Sequence, residues 1–305
     1  MKPSFIVENL SVSFTGANRD DTFLHVEHLE IFPEVTAIVG ESGSGKSLLG
    51  EALFAFFSED ELINGRVVFE GVNIIANPQY ARTSFWGKTW AIVPQIPQSS
   101  FSPLLRIHQH LQDARLGAGL LPYRESEAKA LLAALGLHEP EHILHAYVWQ
   151  LSGGEVQRVS LALALAQETA WILADEPTKG LDEKARTSML KLLQQIRTAG
   201  RSLLLITHDL PLAFQIADRV LVLCRGQIVE DLQEVTPWQI RHPYTQSLVR
   251  ALPENGFKPL PPPSRILGMG CDFNPVCPRA LPICQQQKPQ MWPTDKGKAR
   301  CFHYA

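Results

Sequence analysis

The sequence predicts an α/β fold with an antiparallel accessory β-sheet and a small Cys- and Pro-rich C-terminal extension. Three observations carry that prediction. Short strand-like runs open the chain ("FIVENLSVSF", "LHVEHLEIF", "GRVVFEG"), and later helix-period stretches ("RESEAKALLAALGL", "EKARTSMLKLLQQIRTAG") alternate with buried strands. Proline and cysteine then crowd the C-terminal end. With 305 residues, 45% hydrophobic and 19% charged, the chain can build one large domain and a smaller one with its own core. Its formal charge of -3 lacks the positive field of proteins that track a phosphate backbone, which argues against nucleic acid as a partner.

The opening "MKPSFIVENLSVSF" alternates apolar and polar residues and has neither the apolar core nor the cleavage site of a secretory signal. The longest apolar run, Leu161 to Ala174, is broken by Gln167, Glu168 and Thr169 and falls short of the roughly 20 residues a spanning helix needs. The expectation is a cytosolic chain that does not itself cross a membrane.

The first element with chemistry in it is "VTAIVGESGSGKSLLGEALFAFF". A β-branched run leads through glycines into helix-period Leu48, Leu49, Leu53 and Phe56, so it reads as strand, loop, helix. Gly40, Glu41, Ser42, Gly43, Ser44, Gly45, Lys46 and Ser47 spell G-x-x-x-x-G-K-S, followed by Leu48. Glycines there let backbone N–H groups wrap a phosphate at the positive end of a helix, Lys46 reaches the β- and γ-phosphates, and Ser47 holds Mg²⁺. The core therefore reads as a P-loop nucleotide-binding domain.

A second glycine-rich helix start follows in "LSGGEVQRVSLALALA", where Ser152, Gly153 and Gly154 precede a helix whose first N–H groups can take an anion. The two starts lie about a hundred residues apart. The simplest way to use both on one nucleotide is a head-to-tail pair of subunits with ATP between them.

On these motifs the chain resembles the ATP-binding cassette family. The resemblance implies a helical subdomain inserted at about 96–147, between Gln95 of "WAIVPQ" and the signature. It implies that Gln95 senses the γ-phosphate and contributes to the Mg²⁺ site, and that Asp175 of "WILADEP" coordinates Mg²⁺. It further implies that Glu176 polarises the attacking water, that His208 of "LLLITHD" is the γ-phosphate switch, and that Asp182 of "KGLD" lies in the inter-subunit loop. Phe14 is the candidate adenine-stacking aromatic. Two residues depart from the family pattern: Glu155 stands where glutamine or methionine is common, and Lys179–Gly180 stand where small neutral residues are usual. A carboxylate facing a triphosphate would repel it, so Glu155 is expected to point away or to weaken that half-site.

"QIPQSSFSPLLRIHQH" and "HPYTQSLVRALP" (His242 to Pro253) resemble the oligopeptide, dipeptide and nickel importer branch, with Ile96 and Ser102 as departures in the first stretch. The ATPase domain is placed at 1–232 and the extension at 233–305, with an extended, stiff connector within the extension at Pro259 to Pro263. The branch implies a second ATPase subunit, a distinct paralogue, with two transmembrane permease subunits and an extracytoplasmic substrate-binding protein. The chain would sit peripherally on the cytoplasmic face of the membrane and energise import of peptides, nickel or a metal chelate. A soluble cassette ATPase in nucleic-acid repair or translation is the alternative, as is a degenerate cassette that binds ATP without hydrolysing it. The single signature, the absence of a heptad run, and the intact Lys46, Asp175, Glu176 and His208 argue against both.

Four of the five cysteines fall in the extension as C-x5-C-x6-C-x16-C, at Cys271, Cys277, Cys284 and Cys301, with Cys224 alone in an apolar run. In a reducing cytosol such a cluster reads as a metal site before a disulfide. No close C-x2-4-C pair of the zinc type is present, so a [4Fe–4S] cluster is favoured over zinc and over unligated or disulfide-linked cysteines. Some members of the resembled branch bind such a cluster at a similar pattern. His303, and the five histidines of the insertion (His108, His110, His138, His142, His145), are read as solvated rather than ligating.

Overall fold

The computed structural model describes residues 3–16, 22–181, 183–233, 240–258 and 270–305. Its opening elements are β1 (Phe5–Phe14), β2 (Leu24–Ile31), β3 (Val35–Val39), α1 (Lys46–Leu53), β4 (Glu61–Phe69) and β5 (Val72–Asn73). Next come α2 (Pro78–Ser84), β6 (Trp90–Val93), α3 (Ile107–Gly117), α4 (Glu125–Ala134), α5 (Pro140–His145) and α6 (Gly153–Ala166). They are followed by β7 (Trp171–Asp175), α7 (Glu183–Thr198), β8 (Ser202–Thr207), α8 (Leu210–Ile216), β9 (Arg219–Cys224) and β10 (Gln227–Leu232). The chain closes with α9 (Pro243–Arg250), β11 (Trp292–Thr294) and β12 (Gly297–Ala299). Among the described residues no helix is long and apolar enough to cross a membrane.

The contacts divide the chain into two compact units. One comprises residues 1–32, 36–76 and 207–305, the other 33–35 and 77–206.

In the first unit, β1 alternates buried and open positions and pairs antiparallel with both β2 and β4, giving the order β2-β1-β4-β5. That alternation is what a sheet with one covered face demands. Its covered face includes Phe5 packed on Phe69 and on Phe54, with ring centroids 4.5 and 5.3 Å apart. A second sheet region holds β3 parallel to β9, with β10 antiparallel to β9. Every residue of β3 and β9 is buried, the continuous apolar pattern expected of strands covered on both faces. The C-terminal segment extends this region, since β12 pairs with β10 and β11 with β12. A buried Arg219–Asp231 pair, bonded twice at 2.8 Å, fastens β9 to β10.

In the second unit β8, β7 and β6 run parallel in that order, with Trp90 and Trp171 fully buried opposite each other. The signature helix α6 packs against β6 and against α3 and α4 of the helical subdomain. The expected α/β core, antiparallel sheet and helical insertion are therefore all present.

Candidate functional site

In the first unit the phosphate loop joins β3 to α1. Gly40 sits at φ 155, and a Cβ there would come within 2.3 Å of the Leu223 carbonyl oxygen of β9, so only glycine lets the loop lie against that strand. Gly45, at φ 98, begins α1, which has no side-chain cap and no acidic residue in its first turn. Its N-terminal end thus keeps the positive character that attracts a phosphate. The Ser44 hydroxyl is buried inside the loop without a hydrogen-bond partner. Lys46 is only 7% exposed, and its Nζ donates to the carbonyls of Gly40 at 3.0 Å and Glu41 at 2.8 Å, which holds the ammonium at the loop. Ser47 and Leu48 are half-buried in the first turn of α1, while Ser42 and Gly43 are exposed. Phe14 ends β1 half-buried, edge-on to Phe23 at 5.1 Å, and the Phe23 backbone carbonyl lies beside Gly45. His208 is exposed immediately beyond β8, where Asp209 caps α8 by accepting from the Leu212 N–H at 3.0 Å.

The second unit carries the remaining predicted residues. Gln95 is exposed just after β6, and Asp175 is the last residue of β7. Glu176 is 5% exposed and at φ 49, a left-handed conformation uncommon for a residue with a side chain. Its N–H donates to the Ile206 carbonyl at 2.8 Å, which fixes the carboxylate's origin at the strand end. Asp182 lies outside the described residues.

The signature start is built differently from the phosphate loop. Ser152 caps α6 and Glu155 closes a capping box. The Glu155 carboxylate accepts from the Ser152 N–H at 2.8 Å and its hydroxyl at 2.7 Å. Burial raises the carboxyl pKa, but the Ser152 donors and Arg158 outweigh it, leaving Glu155 below its ordinary range. Of the two orientations the sequence left open, Glu155 is turned onto its own helix start.

The four C-terminal cysteines come together. Cys271, Cys277, Cys284 and Cys301 line one small cavity with His242 and Phe273, presented by three single-turn 3-10 helices and the loop after 269. All are thiols. Burial pushes Cys271 up to about 11 and also raises Cys277 and Cys301. Among the described residues no group of three or more His, Cys, Asp or Glu side chains is arranged to hold a single metal ion. His303 is exposed and bonds the Arg279 carbonyl at 2.8 Å, while His108 and His110 bond the carbonyls of Leu144 and Ser102.

Two features were missed at the level of sequence. Cys224 is buried in β9 and lines a neighbouring cavity with Cys271. Tyr244, the third residue of "HPYTQSL", reaches the phosphate loop, where its hydroxyl accepts the Glu41 N–H at 3.0 Å. Proximity of "HP" to a helix start was a usable signal for the cap, and His242 Nδ1 does accept the Tyr244 N–H at 3.1 Å. Nothing local signalled the long-range bond.

Known proteins resemble this chain in sequence and fold. The family profile described as ABC transporter matches residues 30–179, and that of the oligopeptide/dipeptide transporter C-terminal region matches 238–284. The dipeptide transport ATP-binding protein DppD of Haemophilus influenzae is 34% identical over 88% of this chain and 85% of its own length. The oligopeptide transport ATP-binding protein AppD of Bacillus subtilis is 31% identical over 89% and 87%. A dimeric ATP-binding cassette in a post-hydrolysis state, bound to ADP and Pi, superposes with a TM-score of 0.65 at 24% identity over 74% of this chain and 97% of that one.

Proposed function

Because this chain belongs to the ABC transporter family of ATP-hydrolysing subunits, we propose that it powers a peptide importer from the cytoplasmic face of a membrane. The observation that carries the reading is the union in one chain of a phosphate loop with an oligopeptide/dipeptide transporter C-terminal region. The names of the relatives favour di- and oligopeptides over nickel or a metal chelate as cargo. The partners in this reading are two permease subunits, a substrate-binding protein and a second, paralogous ATPase, with this chain held peripherally. We read residues 1–232 as the ATPase domain, 96–147 as the docking subdomain and 233–305 as the extension.

The phosphate loop from Gly40 to Leu48 would bind the triphosphate of ATP, with Lys46 donating to the β- and γ-phosphates and Phe14 against the base. Ser152, Gly153, Gly154 and Asp182 would complete the site across a head-to-tail dimer. Glu176 would orient the attacking water and His208 would sense the γ-phosphate. Ser47, Asp175 and Gln95 offer hard oxygen donors of the kind Mg²⁺ takes, and the ion would neutralise charge developing on the phosphates.

The four cysteines suit a [4Fe–4S] cluster better than zinc. Four thiolates on one zinc, each at about 2.3 Å, crowd to within about 4 Å of one another, whereas each cysteine of a cubane holds its own iron. The wide spacing C-x5-C-x6-C-x16-C, with no close pair of cysteines, supports the second pattern. The cluster would clasp the extension; anaerobic purification should return near four irons and four sulfides per chain, and one zinc or no metal would overturn the cluster alone. The transport reading is tested in vesicles carrying the permeases, both ATPases and the binding protein. ATP-driven uptake of a labelled dipeptide that is lost in Lys46→Ala supports it, and uptake of Ni²⁺ but not of peptide overturns it.

A further inference from the structure

The C-terminal extension does not end at its own cavity, because two arms run from it to the phosphate loop. The first is the Tyr244 hydroxyl, which accepts the Glu41 N–H at 3.0 Å, while the next atoms of that residue, its carbonyl, accept from Lys46 at 2.8 Å. Glu41 is therefore held on both sides, by the extension and by the phosphate-binding lysine. Tyr244 is 2% exposed, and its ring meets Phe273 edge-on at 5.4 Å. Phe273, 3% exposed, lines the cavity of the four thiols.

The second arm starts at the turn between β9 and β10. The Gly226 N–H donates to the Ser44 carbonyl at 2.8 Å, and the Arg225 guanidinium donates to the Asp272 carbonyl at 3.0 Å. Gly226 admits no side chain, since a Cβ would lie 2.3 Å from the Phe23 carbonyl oxygen, so the turn has little room to yield. Both arms converge on Asp272–Phe273, directly after Cys271.

We propose that Tyr244 is a positioning residue for the phosphate loop, and that through it and the Arg225–Gly226 turn the cysteine-lined module and the nucleotide are energetically coupled. Coupling of this kind is reciprocal: whatever changes the module changes nucleotide affinity, and nucleotide changes the module. The inference rests on ATP binding at the phosphate loop and not on the thiols holding a metal.

The test compares the full chain with Tyr244→Phe, which keeps the ring on Phe273 and removes only the hydroxyl. Calorimetric titration with ATP and Mg²⁺ should show affinity lowered about two- to tenfold, the span of one ordinary hydrogen bond. Hydrogen exchange followed by mass spectrometry should show that saturating ATP alters exchange in 271–284 of the wild type, and that this response is reduced in Tyr244→Phe at equal saturation, the Arg225–Gly226 arm remaining in place. A merely structural tyrosine would change baseline exchange and leave the response to ATP intact. Unchanged affinity, or a response as large in the variant as in the wild type, overturns the coupling. A wild-type chain that does not bind ATP overturns the nucleotide reading along with it.

Discussion

Two helices of this chain start on glycine-rich turns, and they are finished in opposite ways. At α1 the start has no side-chain cap, a left-handed Gly45, a buried unsatisfied Ser44 hydroxyl and the Lys46 ammonium beside it. At α6 the start is closed by the chain itself, with the Ser152 hydroxyl and N–H both donated to Glu155. Glycine spacing thus locates a place where an anion can approach, and capping decides whether the chain has already filled it. The first start is built for phosphate. The second is satisfied by its own carboxylate.

The sharpest way to separate binding from chemistry in this comparison is Glu176→Gln. Loss of a positioned base should lower turnover about 10²- to 10⁴-fold in the assembled transporter while ATP affinity stays within about twofold. Phosphate release at the wild-type rate would remove Glu176 from its role. Next in size, Lys46→Ala should weaken ATP binding about ten- to a hundredfold, the range for charge-assisted hydrogen bonds, and equilibrium titration reads it directly. At the second start, Glu155→Gln preserves a capping box and removes one negative charge. The transporter's KM for ATP should fall about two- to fivefold, and a rise would show that the carboxylate assists the nucleotide.

The smallest effect is in pH. The Glu155 pKa is lowered in the folded chain, so its contribution to stability is present above the unfolded carboxylate value and disappears as pH falls through the folded one. The melting temperatures of wild type and Glu155→Gln should therefore converge on acidification below about 4.5. A gap that widened there would reverse the assigned sign.

What was legible in the sequence follows the range of the interaction. The phosphate loop could be read because its glycines, lysine and serine act within one turn and leave a fixed spacing. The buried strands could be read because β3, β7, β8 and β9 are almost uniformly apolar. The direction of Glu155 was not read, although Ser152 and Glu155 have the spacing of a capping box, because the family pattern drew attention to its charge rather than to its place in the helix. The cysteine spacing announced a shared site, but the 3-10 turns that present the thiols have no periodicity strong enough to predict. Cys224 looked solitary because only the fold brings β9 against residues 271–273. The Tyr244–Glu41 bond spans 203 positions, and no local pattern encodes a contact of that separation.

Titrating ATP with Mg²⁺ into Lys46→Ala and Ser152→Ala side by side asks whether the open start of α1, and not the capped start of α6, gives this chain its nucleotide affinity. Lys46→Ala should lose about tenfold or more in affinity, and Ser152→Ala should change it by less than about twofold. Equal losses, or a larger loss in Ser152→Ala, would place the affinity at the start of α6 instead.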